Sequence, residues 1–127
     1  MKILIAEDEG MLRKTIELKL IKEGYEVIAM EDGRDAIAAI ADSDADLVIT
    51  DIMMPFASGL EIVANLRAAD VSKKIPVIML SSLGQEKTVL EAFALGADDY
   101  ITKPFSLNEL AIRVKRLLLP RLQATAV

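Results

Sequence analysis

Short apolar runs alternate along the chain with longer stretches in which apolar residues recur every three or four positions. Short runs bounded by polar residues are typical of buried strands, and the wider spacing is typical of one face of a helix. The pattern predicts strands at 3–6, 25–30, 46–50, 75–80 and 99–102. It predicts helices at 11–23, 34–42, 60–69, 85–95 and 107–119. Gly24 and Gly96 follow two of these helices and are expected to end them.

The last helix has a start signal and a stop signal. Ser106 is followed three residues later by Glu109, which is the spacing of a capping box. Pro120 is expected to end the helix, because proline lacks the backbone N–H and clashes with the preceding turn. We therefore expect one domain over residues 1–119, with residues 120–127 forming a tail or the start of a linker.

The regular alternation of strands and helices predicts an α/β domain with a parallel sheet covered on both faces. The expected architecture is doubly wound and flavodoxin-like, with five strands in the order 2-1-3-4-5 and five helices on two faces. In such folds ligands bind beyond the carboxyl ends of the strands, where the strand order reverses. That point lies between the first and third strands, so the residues that follow the strands are the candidates for a site.

Acidic, hydroxyl and basic side chains stand at these strand ends. The convergent set is Glu7, Asp8, Asp51, Ser81 and Lys103. Three carboxylates around one point form a site for a hard divalent cation such as Mg²⁺. An aspartate beside a cation and a lysine can also act as a nucleophile that accepts a phosphoryl group.

Composition narrows the possible chemistry. The 127-residue chain has no Cys and no His, which removes disulfides, thiolate chemistry, the usual zinc ligands and histidine proton shuttles. A net charge of −5 argues against non-specific nucleic-acid binding by this domain. No apolar run has the length of a membrane span, and no signal-peptide pattern opens the chain. The expected compartment is the cytoplasm.

Several segments occur in the order and at the intervals of one known family. They are ILIAEDEGMLRKTIELKL, LVITDIMMP with GLEIV after it, IPVIMLSS and LGADDYITKPFSLNEL. From residue 2 to about residue 119, the chain resembles the receiver domain of response regulators in two-component signalling. The resemblance implies a switch that takes a phosphoryl group from a histidine kinase or a phosphotransfer protein. Such a domain catalyses its own phosphorylation and slow dephosphorylation and does not turn over an external substrate.

The resemblance gives the strand-end residues individual roles. Asp51 matches the phosphoacceptor, Asp8 the acid that binds Mg²⁺ directly, and Glu7 the neighbouring acid, where Asp is more usual in the family. The implied ligands of Mg²⁺, or of Mn²⁺ in its place, are Glu7, Asp8, Asp51 and the backbone carbonyl of Met53. Lys103 matches the lysine that pairs with the phosphate, and its bond to Pro104 is typically cis in the family.

The implied switch uses a hydroxyl and an aromatic ring. Ser81 matches the hydroxyl residue that binds the phosphoryl group, and Ser82 beside it belongs to the residues that influence the phosphoryl lifetime. Tyr100 matches the aromatic position whose ring moves inward when the hydroxyl moves toward the phosphate. The surface expected to change comprises the fourth helix, the fifth strand and the fifth helix.

The last segment is most similar to receivers that precede a winged-helix DNA-binding domain. Those receivers form phosphorylation-dependent dimers through the fourth helix, fifth strand and fifth helix, with ion pairs across the dimer. The residues that match charged positions of that interface are Asp98, Asp99, Glu109 and Arg113. Val89 and Ala94 depart from it, because that branch usually has a basic residue and an acid at these positions.

Other functions fit parts of the pattern. The main alternative is a pseudo-receiver, an interaction module that works without phosphorylation, which would normally have lost Asp51, Lys103 or the paired acids. A haloacid-dehalogenase-type phosphohydrolase normally has an acid two residues after its nucleophile, where this chain has Met53. A flavin carrier needs a phosphate cradle after the first strand, and the EDEG loop has the wrong charge for one.

Overall fold

The computed structural model describes residues 1–42, 44–69, 74–82 and 84–125, the stretch 121–125 by its backbone alone. The strands are β1 (Lys2–Ala6), β2 (Glu26–Met30), β3 (Leu47–Asp51), β4 (Val77–Ser81) and β5 (Asp99–Thr102). The helices are α1 (Gly10–Lys22), α2 (Gly33–Asp42), α3 (Gly59–Ala68), α4 (Glu86–Leu95) and α5 (Leu107–Thr125). Among these described helices, none combines the length and the apolar character needed to cross a membrane.

The five strands form one parallel sheet in the order β2-β1-β3-β4-β5, which confirms the predicted fold. One face packs against α2, α3 and α4, and the other packs against α1 and α5. All five residues of β3 are buried, as expected for a strand covered on both faces. In the β1–β3 register Ala6 pairs with Thr50, so Glu7 and Asp51 are the next residues of two adjacent strands.

The ends of the helices follow local signals. Gly24 and Gly96 stand after α1 and α4 with φ values of +98° and +114°, which confirms both predicted stops. Ser106 Oγ accepts a hydrogen bond from the Glu109 N–H at 2.9 Å, which forms the serine half of the predicted capping box. The Glu109 carboxylate accepts a hydrogen bond from Arg113 at 3.0 Å.

The prediction that Pro120 ends the last helix is wrong. Helix α5 passes through Pro120 and continues to Thr125. The fully buried side chains of α5 are Leu110, Val114 and Leu118. Their packing holds the helix up to the proline, and a proline with helical φ removes one hydrogen bond without reversing the chain. Residues 126–127 of the predicted tail lie outside the described residues.

Gly59 begins α3 directly against the backbone of Asp51. A Cβ atom at Gly59 would lie 2.3 Å from the carbonyl oxygen of Asp51. The Gly59 N–H also donates to the Ile52 carbonyl at 2.9 Å. The absence of a side chain therefore lets the loop of residues 52–58 return to the end of β3.

A Gly59→Ala variant is expected to lose about 2–3 kcal/mol of unfolding free energy, because α3 or the end of β3 must move to make room. Urea denaturation without divalent cations measures this loss. Gly10→Ala is the matched control, since a Cβ there would meet only the Arg13 guanidinium, at 3.6 Å, and alanine favours a helix. Equal stability of the two variants would contradict the close contact at Gly59.

Candidate functional site

The carboxyl ends of β1 and β3 bring three acids together. Glu7, Asp8 and Asp51 each place one carboxylate oxygen within 4.8 Å of the others. Glu7 is fully buried and Asp51 is 5% exposed, whereas Asp8 faces solvent. The cluster therefore has a buried floor and one open side.

Lys103 places its ammonium between the two buried acids. Its Nζ donates to Glu7 Oε1 at 2.8 Å and to Asp51 Oδ2. Burial by itself lowers the pKa of Lys103, but the hydrogen bonds to Asp51 and Glu7 outweigh it and raise that pKa, so the ammonium stays charged. The peptide bond from Lys103 to Pro104 is cis, as the family resemblance implies.

Glu7 has the least favourable surroundings in the cluster. Burial raises the pKa of Glu7 to about 7; the hydrogen bond from Lys103 opposes this rise, and the nearby Asp51 adds to it. Glu7 Oε2 is buried and has no hydrogen-bond partner within the described part of the chain. A buried carboxylate oxygen without a partner is costly, and either a proton or a metal cation would relieve that cost.

The donor set fits a hard divalent cation. Its side-chain donors are carboxylate oxygens, which Mg²⁺ prefers, and the chain has no Cys or His to favour a softer metal. The orphaned Glu7 Oε2 is the observation that supports this fit, because it is a buried oxygen donor that none of the described residues uses. Met53 also lies at the cluster, where its backbone N–H donates to Asp51 Oδ1 at 2.9 Å.

The remaining predicted residues, Ser81, Ser82 and Tyr100, belong to β4, β5 and the loop after β4. Ser81 is fully buried at the end of β4, and its carbonyl accepts a hydrogen bond from the Lys103 N–H at 2.8 Å. Ser82 is exposed and lines an apolar cavity of about 400 Å³. The other residues of that cavity are Leu12, Lys103, Pro104 and Phe105. Tyr100 is half-buried and packs against the core on the α2–α3–α4 side of the sheet.

Asp99, a residue of the expected dimer surface, pairs within the chain. It is 6% exposed, and it accepts hydrogen bonds from Arg113 at 2.7 Å and from Arg116 at 3.1 Å. Arg113 also contacts Glu109. These pairs tie the start of β5 to α5, and the contribution of Arg116 was not predicted from the sequence.

Asp98 also pairs within the chain. Its Oδ2 accepts hydrogen bonds from Arg67 at 2.9 Å and from the Val77 N–H at 2.8 Å. Arg67 donates further to the carbonyls of Gly96, at 2.8 Å, and Ile75, at 2.6 Å. This arginine of α3 therefore holds the end of α4 and the start of β5.

Sequence reasoning also missed Arg13. Its Nη1 donates to the carbonyl of Glu7 at 2.9 Å, and its Nη2 lies 4.0 Å from Glu31 Oε2. Arg13 thus holds the loop that carries the first two acids. The sequence contained one sign of this role. Arg13 stands three residues before Ile16 and seven before Leu20, a spacing that places it on the inward face of α1.

Comparison with known proteins agrees with this geometry. A family model described as "Response regulator receiver domain" matches residues 3–115. The phosphate regulon transcriptional regulatory protein PhoB of Pseudomonas aeruginosa is 41% identical over 116 residues, which cover 91% of this chain and 51% of that protein. The chain spans about half the length of this relative and of two further curated regulators that it is similar to.

Solved structures show the same fold. The receiver domain of the Francisella response regulator 1452 superposes with a TM-score of 0.85 and 35% identity, covering 91% of this chain and 94% of that one. The receiver domain of a sensor histidine kinase from Pseudomonas aeruginosa PAO1 gives a TM-score of 0.85 and 26% identity, covering 92% and 96%. That structure contains a magnesium ion in its active-site cleft.

Proposed function

The chain belongs to the response-regulator receiver family of two-component signalling, and we propose that it is a phosphorylation switch with Asp51 as the phosphoacceptor. One observation carries the proposal. Lys103 binds both Glu7 and Asp51 at the buried end of a three-carboxylate cluster. An ammonium and an acid cluster at a nucleophilic carboxylate are the groups that phosphoryl transfer to aspartate requires.

The proposed reaction is an in-line transfer to the Asp51 carboxylate. A carboxylate oxygen donates an electron pair to phosphorus, and the bond from phosphorus to the donor nitrogen of a phosphohistidine breaks. The electron pair of that bond returns to the imidazole. Lys103 would donate to the oxygens of the arriving phosphoryl group from its position beside Asp51, and the hydroxyl of Ser81 would bind one of those oxygens after transfer.

The cation proposed for the cluster is Mg²⁺, with Mn²⁺ as a substitute. The residues that would hold it are Glu7, Asp8, Asp51 and the backbone carbonyl of Met53. When bound, it neutralises charge on the phosphoryl oxygens. The unused Glu7 Oε2 and the magnesium ion in the related kinase receiver support this assignment.

Receiver domains work with histidine kinases or phosphotransfer proteins, and a cytoplasmic partner of this kind is proposed here. Residues 1–119 would form the receiver, although α5 continues past this boundary to Thr125, and residues 120–127 would form a tail or the start of a linker. A transcription-control output is supported by the relatives that are transcriptional regulators and about twice as long as this chain. The receiver itself, with its net charge of −5, is not proposed to bind nucleic acid.

The proposed signal passes from the phosphoryl group to the surface of α4, β5 and α5. Movement of Ser81 toward the phosphate would open space that the ring of Tyr100 can fill, because Tyr100 borders the core between β4 and α4. The switch would then be a shift between two packed states, each favoured by one state of Asp51. Ser82 is exposed and lines a cavity together with Lys103, from where it would influence how fast water removes the phosphoryl group.

The test is phosphorylation by a small donor. The protein is incubated with acetyl phosphate and Mg²⁺, and its intact mass is followed. An adduct of one phosphoryl group that needs Mg²⁺ and is removed by hydroxylamine supports an acyl phosphate. A folded protein that binds Mg²⁺ and beryllofluoride but forms no adduct would contradict phosphoryl transfer to Asp51 and leave the cation site standing. A folded protein that binds neither would instead fit a pseudo-receiver.

The proposed dimer predicts a change of mass in solution on activation. Beryllofluoride with Mg²⁺ is expected to shift the sedimentation of the chain from monomer toward dimer through α4, β5 and α5. Reversing the charge of Glu109, which is exposed on α5, should weaken that shift, and Glu26→Lys on the opposite edge strand should not. A monomer at high concentration with beryllofluoride bound would contradict the dimer and leave the phosphoacceptor proposal standing.

A further inference from the structure

The loop that follows β3 turns at a residue with unfavourable backbone geometry. Phe56 has a φ of +70°, in the left-handed region that bulky side chains rarely adopt. The Ala57 N–H donates to the Pro55 carbonyl at 2.8 Å, which closes a three-residue turn around Phe56. The Phe56 ring is 72% exposed, so burial of the ring does not explain the turn.

The loop before α2 holds this turn in place. The Gly33 N–H donates to the Pro55 carbonyl at 3.1 Å, and a Cβ atom at Gly33 would lie 1.8 Å from the Ala57 carbonyl oxygen. The backbone at Gly33 therefore packs directly against the backbone of Ala57. The guanidinium of Arg34 lies over the Phe56 ring, 4.3 Å from the ring centre, in cation–π geometry.

Phe56, one member of the stacked pair, lines a cavity beside the acidic cluster. This cavity has a volume of about 300 Å³, and its lining residues are Asp8, Glu31, Asp32, Pro55 and Phe56. The cavity is therefore bordered both by the loop of Phe56 and by the loop that leads into α2. The loop of Phe56 starts at Met53, whose N–H is bonded to Asp51.

We propose that the Arg34–Phe56 stack positions the Asp51–Met53 segment for binding of the divalent cation. This inference rests on the proposed function, because it concerns the same cation site. The charge of Arg34 does not by itself favour Mg²⁺ binding, because a positive guanidinium repels a divalent cation. A stack that fixes the loop carrying Asp51 and Met53 accounts for both the arginine and the strained turn.

The test is a double-mutant cycle in Mg²⁺ affinity, measured by calorimetric titration of the protein with MgCl₂ alone. Arg34→Gln and Phe56→Leu are each expected to weaken Mg²⁺ binding about threefold, the size of an exposed cation–π contact. The double variant should bind as weakly as either single variant, because each substitution removes the same contact. Lys87→Gln and Phe93→Leu are the matched controls, since both residues are exposed on α4.

The outcomes separate the stack from its alternatives. Tighter or unchanged Mg²⁺ binding by Arg34→Gln overturns the inference, because simple charge removal predicts tighter binding. A lowered melting temperature without a change in Mg²⁺ affinity also overturns it, since the stack would then serve stability alone. Phe56→Gly should raise the melting temperature by relieving the turn while it weakens Mg²⁺ binding. A wild-type protein that binds no Mg²⁺ contradicts the proposed function itself.

Discussion

An Asp51→Asn variant is expected to form no labile phosphoryl adduct under conditions in which the wild-type protein is phosphorylated. The amide of asparagine lacks the anionic oxygen that attacks phosphorus, although its size is nearly that of aspartate. Asparagine has one carbonyl oxygen, so it can accept one of the two hydrogen bonds that the Asp51 carboxylate accepts from Lys103 and from the Met53 N–H, and the fold should persist. Intact-mass measurement after treatment with acetyl phosphate and Mg²⁺ gives the result directly.

Asp42→Asn is the control for this experiment. Asp42 is an exposed acid at the end of α2, so the substitution removes the same charge away from the cluster. It should be phosphorylated like the wild type. An adduct of equal yield on Asp51→Asn would assign the phosphoacceptor to another group, with Glu7 and Asp8 the nearest candidates.

Replacement of Lys103 should have the largest effect on stability. At a pH well above the pKa of Glu7, a Lys103→Met variant is expected to lose about 3 kcal/mol of unfolding free energy in the absence of divalent cations, because it leaves two buried carboxylates without their cation. Glu7 is fully buried and already has one oxygen without a partner in the described part of the chain, so repulsion from Asp51 would be unopposed there. Urea denaturation in a chelating buffer measures the loss.

Magnesium and a second substitution test the cause of that loss. Saturating Mg²⁺ should recover part of the stability of Lys103→Met, since a ligand that binds the folded state alone stabilises it. Adding Glu7→Gln to Lys103→Met should also recover stability, because it removes one buried charge. Lys87→Met, on the exposed face of α4, should be neutral. Loss of stability that neither Mg²⁺ nor Glu7→Gln recovers would contradict an electrostatic cause.

The positions of the strands could be predicted because each strand is a short apolar run between polar residues. The run at 46–50 corresponds to β3, which is buried throughout, and Gly96 ends α4 as expected. Helix α5 shows the limit of such signals. Pro120 is a strong local stop, but whether a helix ends there depends on how the preceding turns pack, which a local pattern does not contain.

The tertiary structure adds partners within the chain for charged residues of the predicted dimer surface. Asp98 and Asp99 are adjacent in sequence, yet one is held by Arg67 of α3 and the other by Arg113 and Arg116 of α5. The family pattern placed both aspartates on a dimer surface. Their partners within the chain could not be read from spacing, because the partners lie on different helices on opposite faces of the sheet.

The alternation of strands and helices, and hence the set of residues that follow the carboxyl ends of the parallel strands, can be inferred from the sequence alone. Local hydrophobic period and chain direction are sufficient for that inference, since parallel strands end at the same edge of a sheet. The contacts among those residues depend on the folded chain. Lys103 binds Glu7 across 96 positions of the chain and Asp51 across 52, and the orphaned Glu7 oxygen and the turn at Phe56 likewise depend on folded neighbours. Contacts between distant residues depend on the packing of the whole chain, and no local pattern encodes them.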